Sequence, residues 1–241
     1  MAAGVALRCV GGPDGSPVRA FPFDAVDASS FVGFEMGAVM RAARWVAAAL
    51  ALVAWSGLAL QYVIFAQAVG LGLAAWRFFG FFTILSNIGI AGVATAIALG
   101  RGGRLAGARA RLMGLTAIVT VGLVYSILLR STWNPQGLQK LADAALHDWT
   151  PLMFAVLWAL MPHGELKWSD LKWALIPPAL YLAYAMARGT IDGWYPYFFL
   201  NPTLQTGTEF GVSILGTLAV FAIVAGSAIA VDMRMGRRNG F

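Results

Sequence analysis

Six long stretches of this chain contain no Asp, Glu, Lys or Arg: residues 45–76, 78–100, 112–129, 149–164, 173–187 and 210–231. A helix that crosses a bilayer takes roughly 20 apolar residues, and backbone in hydrocarbon must pair its own polar groups. None of the six shows the alternation of a barrel strand, so each predicts a helix. Composition agrees. The chain is 59% hydrophobic and 12% charged, against about 25% charged in a soluble domain, so lipid must supply much of the solvent. The expected fold is an all-α polytopic membrane bundle of about six transmembrane helices, with five or seven left open. The first stretch exceeds one span and must tilt or emerge as a loop near 68–75. The fourth and fifth are short and need flanks such as Lys172 and Arg188 to snorkel to the interface.

The basic residues set an orientation. With a cytoplasmic amino terminus, that side carries thirteen Lys and Arg, and the far side only Arg77, Arg130, Lys140 and Arg188. Such a bias fixes topology and places both termini in the cytoplasm. The net charge of +6 is therefore read as membrane anchoring, and no nucleic-acid partner is expected. Residues 1–40 hold no spanning stretch, and 11–17 (GGPDGSP) is a cluster of helix breakers. They read as a disordered cytoplasmic tail before a six-helix domain at 41–241. Met36 and Met40 sit just before the first helix as alternative starts. The lone cysteine, Cys9, excludes an intrachain disulfide and any multi-cysteine metal motif.

Candidate chemistry gathers on the external side. In the second helix (FFGFFTILSN, 78–87), Thr83, Ser86 and Asn87 stand at i, i+3 and i+4 and make a polar stripe. Such residues also glue helices or bond their own carbonyls. His147 opens the fourth helix, with Asp143 one turn earlier in position to fix its tautomer. Asp148 lies beside it, and a solvated interfacial histidine is the plainer alternative. Residues 138–146 form an amphipathic stretch suited to the interface. The loop 188–209 is charge-poor and carries two prolines with Trp194, Tyr195 and Tyr197, which predicts an aromatic lid over a site or a re-entrant segment at headgroup depth; an ordinary aromatic belt is the alternative. His163 falls on the opposite side, so the two histidines cannot share a metal. No HExxH, GxSxG, P-loop or dinucleotide motif occurs. No metal and no cofactor are expected. A hydroxyl nucleophile with a histidine base is the one catalytic pairing left.

Three of these segments, FFTILSN at 81–87, HDWTP at 147–151 and RG…GWYPYFFL at 188–200, carry a resemblance. Together and in this order they resemble the androgen-induced-gene and androgen-dependent tissue-factor-pathway-inhibitor-regulator family of six-helix membrane proteins, in its bacterial branch. The animal branch hydrolyses fatty acid esters of hydroxy fatty acids with a membrane-embedded threonine and a histidine. By motif, the resemblance implies Thr83 as nucleophile, His147 as base, a lipid ester as substrate and the bacterial inner membrane as location. Asn87 as oxyanion donor is an inference from its place one turn deeper, with Ser86 and Asp143 in support. Two rivals stand beside this. A lipid-binding or sensing protein would use the same cavity and lid without chemistry. A transporter would need buried ionisable groups near the midplane, and the charge-free stretches hold none.

Overall fold

A computed structural model describes residues 28–101 and 103–238. The chain divides into two units, residues 1–38 and 39–241. Of the first, only the start of helix α1 (Ala28–Val69) is described. Residues 28–40 are thus helical where a disordered tail was expected. Pro22 is the last proline before them, so nothing in 28–40 breaks a helix. The breaker cluster at 11–17 lies outside the described residues.

The second unit is all helix. After α1 come α2 (Leu71–Phe78), α3 (Phe82–Ala98), α4 (Ala108–Val124), α5 (Gly137–Ala144), α6 (Thr150–Leu160), α7 (Leu171–Asp192) and α8 (Gly207–Arg238). Among the described residues three helical stretches are long and apolar enough to cross a membrane: Gly37–Val69, Ala108–Thr132 and Gly207–Arg237. A fourth arises if α2 and α3, bent by 80°, count as one broken span. The fourth and fifth charge-free stretches, which hold the 11-residue α6 and the 22-residue, proline-bearing α7, are not among them. The outer surface is apolar: Trp45, Leu52, Ile127, Leu180 and Ile223 are exposed, as lipid-facing side chains are.

Helix α4 is central and packs on α3, α6, α7 and α8. Its core contacts include Leu112, Leu115 and Ile118 against Ile90, Phe154 and Ile229. The buried stripe of α1, Ala43, Ala47, Leu50, Ala54 and Leu58, is built mainly of small side chains. These let helices approach closely where lipid gives no hydrophobic drive to associate. At Gly57 an added Cβ would lie 2.9 Å from the Cβ of Ala145, so the approach there requires glycine.

Two breaks position the site. The first is Gly70, at φ 82°, which ends α1 inside the 68–75 stretch where the first window was expected to emerge as a loop if it did not tilt. The second runs from Phe79 to Phe81 and starts α3 afresh. A break in an apolar environment strands carbonyls, and α7 supplies the missing donors. Tyr181 donates to Gly80 O at 2.9 Å and Tyr184 to Phe79 O at 3.1 Å. Arg188 donates to Trp76 O and stacks 3.7 Å from the Trp76 ring centroid. At the other end of the bundle, Asp232 of α8 accepts from Gly164 N at 3.0 Å and Leu166 N at 2.9 Å. Its second oxygen meets His163 Nδ1 at 3.0 Å, so His163 ties the 161–170 connector to α8.

Candidate functional site: a threonine and a half-buried imidazole on one cavity

Thr83 is the second residue of α3. Its N–H is therefore one of the unpaired donors of a helix start. It donates to the Tyr197 hydroxyl at 3.3 Å, and the Thr83 Oγ1 lies 3.4 Å from the same oxygen. Tyr197 is held in turn by the ring of Phe199, stacked at 5.2 Å, and by Phe81, edge-on at 6.1 Å.

His147 sits in a π-helical turn, residues 145–149, between α5 and α6. Tyr125 opens a second such turn, 125–129, at the end of α4. Wide turns of this kind redirect side chains and free carbonyls, and they recur at functional sites. Gly122 lets the two approach: a Cβ there would be 3.3 Å from His147 O and 3.4 Å from the Pro151 ring. His147 Nδ1 faces two acceptors, Asp143 Oδ1 at 3.3 Å and Asp143 O at 3.1 Å. With only acceptors before it, Nδ1 carries the proton, and Nε2 is the basic nitrogen. The Tyr125 hydroxyl donates to the other oxygen of Asp143, and the Tyr125 ring stacks on the imidazole.

Thr83, Tyr125, Asp143, His147 and Tyr197 line one cavity of about 430 Å³, with a predominantly apolar wall. That volume falls in the range of small-molecule sites. A narrower apolar cavity of about 70 Å³ adjoins it between α4, α7 and α8, and Thr83, Tyr125, Leu129 and Tyr197 belong to both walls. Among the described residues no hydrogen bond joins Thr83 to His147. The Thr83 hydroxyl pairs with that of Tyr197 instead.

The rest of the expected constellation is divided. Asn87 is fully buried, and its amide hydrogens go to Thr83 O at 2.8 Å and Leu146 O at 3.2 Å. Both neighbours are acceptors, which fixes the amide orientation and leaves no hydrogen for an oxyanion. Asn87 thus clamps the start of α3 to the π turn that bears His147. Ser86 leaves the site altogether and lines a separate groove with Phe79, Phe82 and Tyr184. On a helix, i+3 and i+4 fall on opposite sides of residue i, about 100° from each other, so one stripe could not aim both inward. Of the three aromatics expected as a lid, Tyr197 reaches the site, with Pro196 and Phe198 beside it. Trp194 and Tyr195 anchor the loop instead. Trp194 lies edge-on to Phe81 at 5.4 Å with the Arg77 guanidinium 5.2 Å away. Tyr195 fills the space over Gly189, where a Cβ would come within 2.1 Å of its ring.

Tyr125 escaped the sequence analysis. Its signal was faint, a single phenol in the apolar run LVYSILL. Only the fold brings it to an imidazole 22 positions on. Among the described residues no group of three or more His, Cys, Asp or Glu is placed to hold a metal. Comparison of the chain with family models, with curated proteins and with solved structures finds no match in any of the three.

Proposed function

We propose that this protein is a membrane-embedded hydrolase of lipid esters with Thr83 as nucleophile and His147 as base. The observation that carries the proposal is the shared cavity: a threonine hydroxyl and an imidazole with a fixed tautomer line one apolar, ligand-sized space. The motif resemblance to the androgen-induced-gene family points the same way. In this scheme the Thr83 hydroxyl attacks the ester carbonyl while its proton passes to His147 Nε2. The alcohol leaves with that proton, and Thr83 holds the acyl group. Water then gives a proton to Nε2 and attacks the acyl carbon. The fatty acid departs as the Thr83 oxygen recovers the proton. Tyr197 takes the oxyanion role once expected of Asn87. Its oxygen accepts the Thr83 N–H and its hydroxyl lies 3.4 Å from Thr83 Oγ1, so in this scheme its hydrogen turns to the developing charge, with the positive end of the α3 dipole beside it. The narrow apolar cavity beyond Thr83 suits the first methylenes of the acyl chain.

The protein is proposed to cross the membrane six times, with the broken α2–α3 pair and the proline-bearing α7 among the crossings. Both termini are then cytoplasmic, and the site opens outward, in a bacterial inner membrane. The thirteen-to-four basic asymmetry supports that orientation. One observation favours the rival, a lipid-binding or sensing protein: Thr83 Oγ1 meets Tyr197 and not His147. Purified protein in detergent, given a panel of long-chain esters and a fluorophosphonate probe, decides between them. Ester turnover and labelling that vanish in Thr83→Val support the hydrolase; saturable lipid binding with neither supports the rival.

A further inference from the structure

Beyond the ester-hydrolase reading, we propose that the groove lined by Ser86 binds an anionic phospholipid, with an acyl chain between α3 and α7 and the phosphodiester on Arg109 and Lys172. This groove has a volume of about 750 Å³. Its floor is α4, at Ala110, Met113, Gly114 and Ala117. Its walls come from α3 between Phe82 and Val93 and from α7 between Pro177 and Tyr184. The walls are tied at one end, where Tyr184 donates to Phe79 O at 3.1 Å. Along α3, glycine keeps the space open: a Cβ on Gly89 would meet nothing within 4 Å. From Phe82 to Val93 the groove runs roughly 16 Å at 1.5 Å per residue, about half of a hydrocarbon core of about 30 Å. That is the depth of one leaflet, so one acyl chain fits along it.

The other end carries charge. Trp173 stands one helical turn before Pro177 on the same face of α7, and two cations flank its ring. The Arg109 guanidinium lies 5.8 Å from the ring centroid, and Lys172 Nζ also lies 5.8 Å from it. Arg109 directly precedes Ala110 of the floor, so the chain itself joins this cluster to the groove. Arg109 Nε donates to Asp170 Oδ1 at 2.7 Å, and the side chain is 64% exposed. Among the described residues its terminal nitrogens make no hydrogen bond, and together they offer a fork to a phosphate. Asp170 offsets one positive charge. Lys172 and the exposed Arg104, next to Leu105 of the groove, supply two more. Tryptophan and basic residues together mark the depth of lipid head groups. A phosphodiester with net negative charge gains from such a cluster, and a zwitterionic head group, which brings its own cation, gains less. In the orientation proposed above, this end lies in the cytoplasmic leaflet.

The test uses the full chain in neutral detergent, with thermal stabilisation as the readout. The ligands are dialkyl-ether forms of phosphatidylglycerol and phosphatidylcholine with equal chains, and glycerophosphate, which has the charge without the chains. The phosphatidylglycerol form should act at a concentration roughly fivefold or more below the phosphatidylcholine form, since each surface cation counts for about a factor of five. High salt should narrow the gap. Arg109→Gln with Lys172→Gln should erase the preference. Arg109 also holds Asp170, so Arg104→Gln with Lys172→Gln, which spares that pair, should reduce the preference even if the first variant fails to fold. Gly89→Leu, which fills the groove, should weaken both phospholipids several-fold. Equal response to the two phospholipids overturns the proposal, as does a preference that survives the substitutions. A Gly89→Leu protein that responds as the wild type does also overturns it, as does glycerophosphate that stabilises as well as the phosphatidylglycerol form. The ether probes contain no ester, so a failed hydrolase assay leaves this site standing, and failure here leaves the hydrolase untouched.

Discussion

The ring of Tyr125 lies flat on the imidazole of His147, with centroids 4.0 Å apart and 18° between the planes. The same residue donates its hydroxyl to Asp143, the carboxylate that holds His147 Nδ1. One side chain from the π turn after α4 thus fixes the histidine twice, by its face and through its partner. Asp143→Asn would present an amide that can turn its N–H toward Nδ1 and favour the wrong tautomer. In a serine triad that change costs about 10⁴ in rate, and a loss of that order is expected here with folding retained. Tyr125→Phe keeps the stack and removes only the bond to Asp143. A hydrogen bond to a charged group is worth roughly 1.5–3 kcal/mol, so a loss of about tenfold or more in kcat is expected. A Tyr125→Phe enzyme with unchanged kcat would show that the phenol only packs.

Topology can be read with two near-isosteric substitutions. Ser131 and Ser169 are both exposed, on connectors proposed to face opposite sides. After Cys9→Ser, cysteine at position 131 should react with an impermeant thiol reagent on intact cells, and cysteine at 169 only after permeabilisation. Labelling of both, or of 169 alone, contradicts the proposed orientation.

The seat of the aromatic loop gives a stability prediction. Gly189→Ala would drive a methyl into the Tyr195 ring. Overpacking of this kind costs roughly 1–3 kcal/mol, or about 2–4 °C in Tm for each kcal/mol in a chain of this size. Gly189→Ala paired with Tyr195→Ala should recover much of the loss. A single variant as stable as the wild type would mean that the loop does not sit on α7 as described.

Asp170, in the connector before α7, supplies a pH dependence. Burial pushes its carboxyl upward, but the Lys167 N–H at 3.0 Å and the Arg109 guanidinium at 2.7 Å outweigh this and hold it below the ordinary carboxylate range. A carboxylate depressed in the folded state stabilises above its unfolded pKa, about 3.9, and loses that contribution as pH falls through the folded value. The wild type should therefore exceed Asp170→Asn in Tm by a constant margin at pH 5–7, and the margin should shrink below about pH 4. A margin independent of pH down to 3 would assign the effect to shape alone.

Much of the helical framework was legible because apolar runs report it directly. Of the two expectations for the first stretch, a tilt or a loop near 68–75, the chain shows a break at Gly70, and the stretches 112–129 and 210–231 each lie within one long apolar helix. The site was legible only where a residue acts through its own neighbours. Asp143 and His147 are four apart on one helical path, so spacing alone could pair them. Asn87 and Ser86 could not be sorted, because the helix that would receive each of them is set by tertiary packing. Tyr125 becomes a site residue only through a π turn and the close approach at Gly122. Such geometry leaves little trace in composition or period.

Thr83 and His147 should behave as one device in ester cleavage. They sit on different helices but share a cavity wall, and Asn87 binds the carbonyls of Thr83 and Leu146 with one amide nitrogen. If the hydroxyl attacks and the imidazole takes its proton, either alanine substitution should remove nearly all activity, roughly 10²–10⁴-fold. The double variant should be little worse than either single, because parts of one nucleophile–base unit are not additive. Thr83→Ser keeps the hydroxyl and should stay active. Thr83→Val keeps the shape, loses the hydroxyl and should be folded and inactive. The fluorophosphonate probe should label the wild type and the serine variant and spare valine and alanine. Tyr197→Phe separates the oxyanion role from the lid. It should lower kcat by about 10²-fold, as loss of one oxyanion donor does, and leave KM for a long-chain ester nearly unchanged. A lid residue would instead raise KM most for the longest chains. A stable Thr83→Val protein with full activity would end the assignment of Thr83 as nucleophile, and with it the mechanism proposed for this cavity.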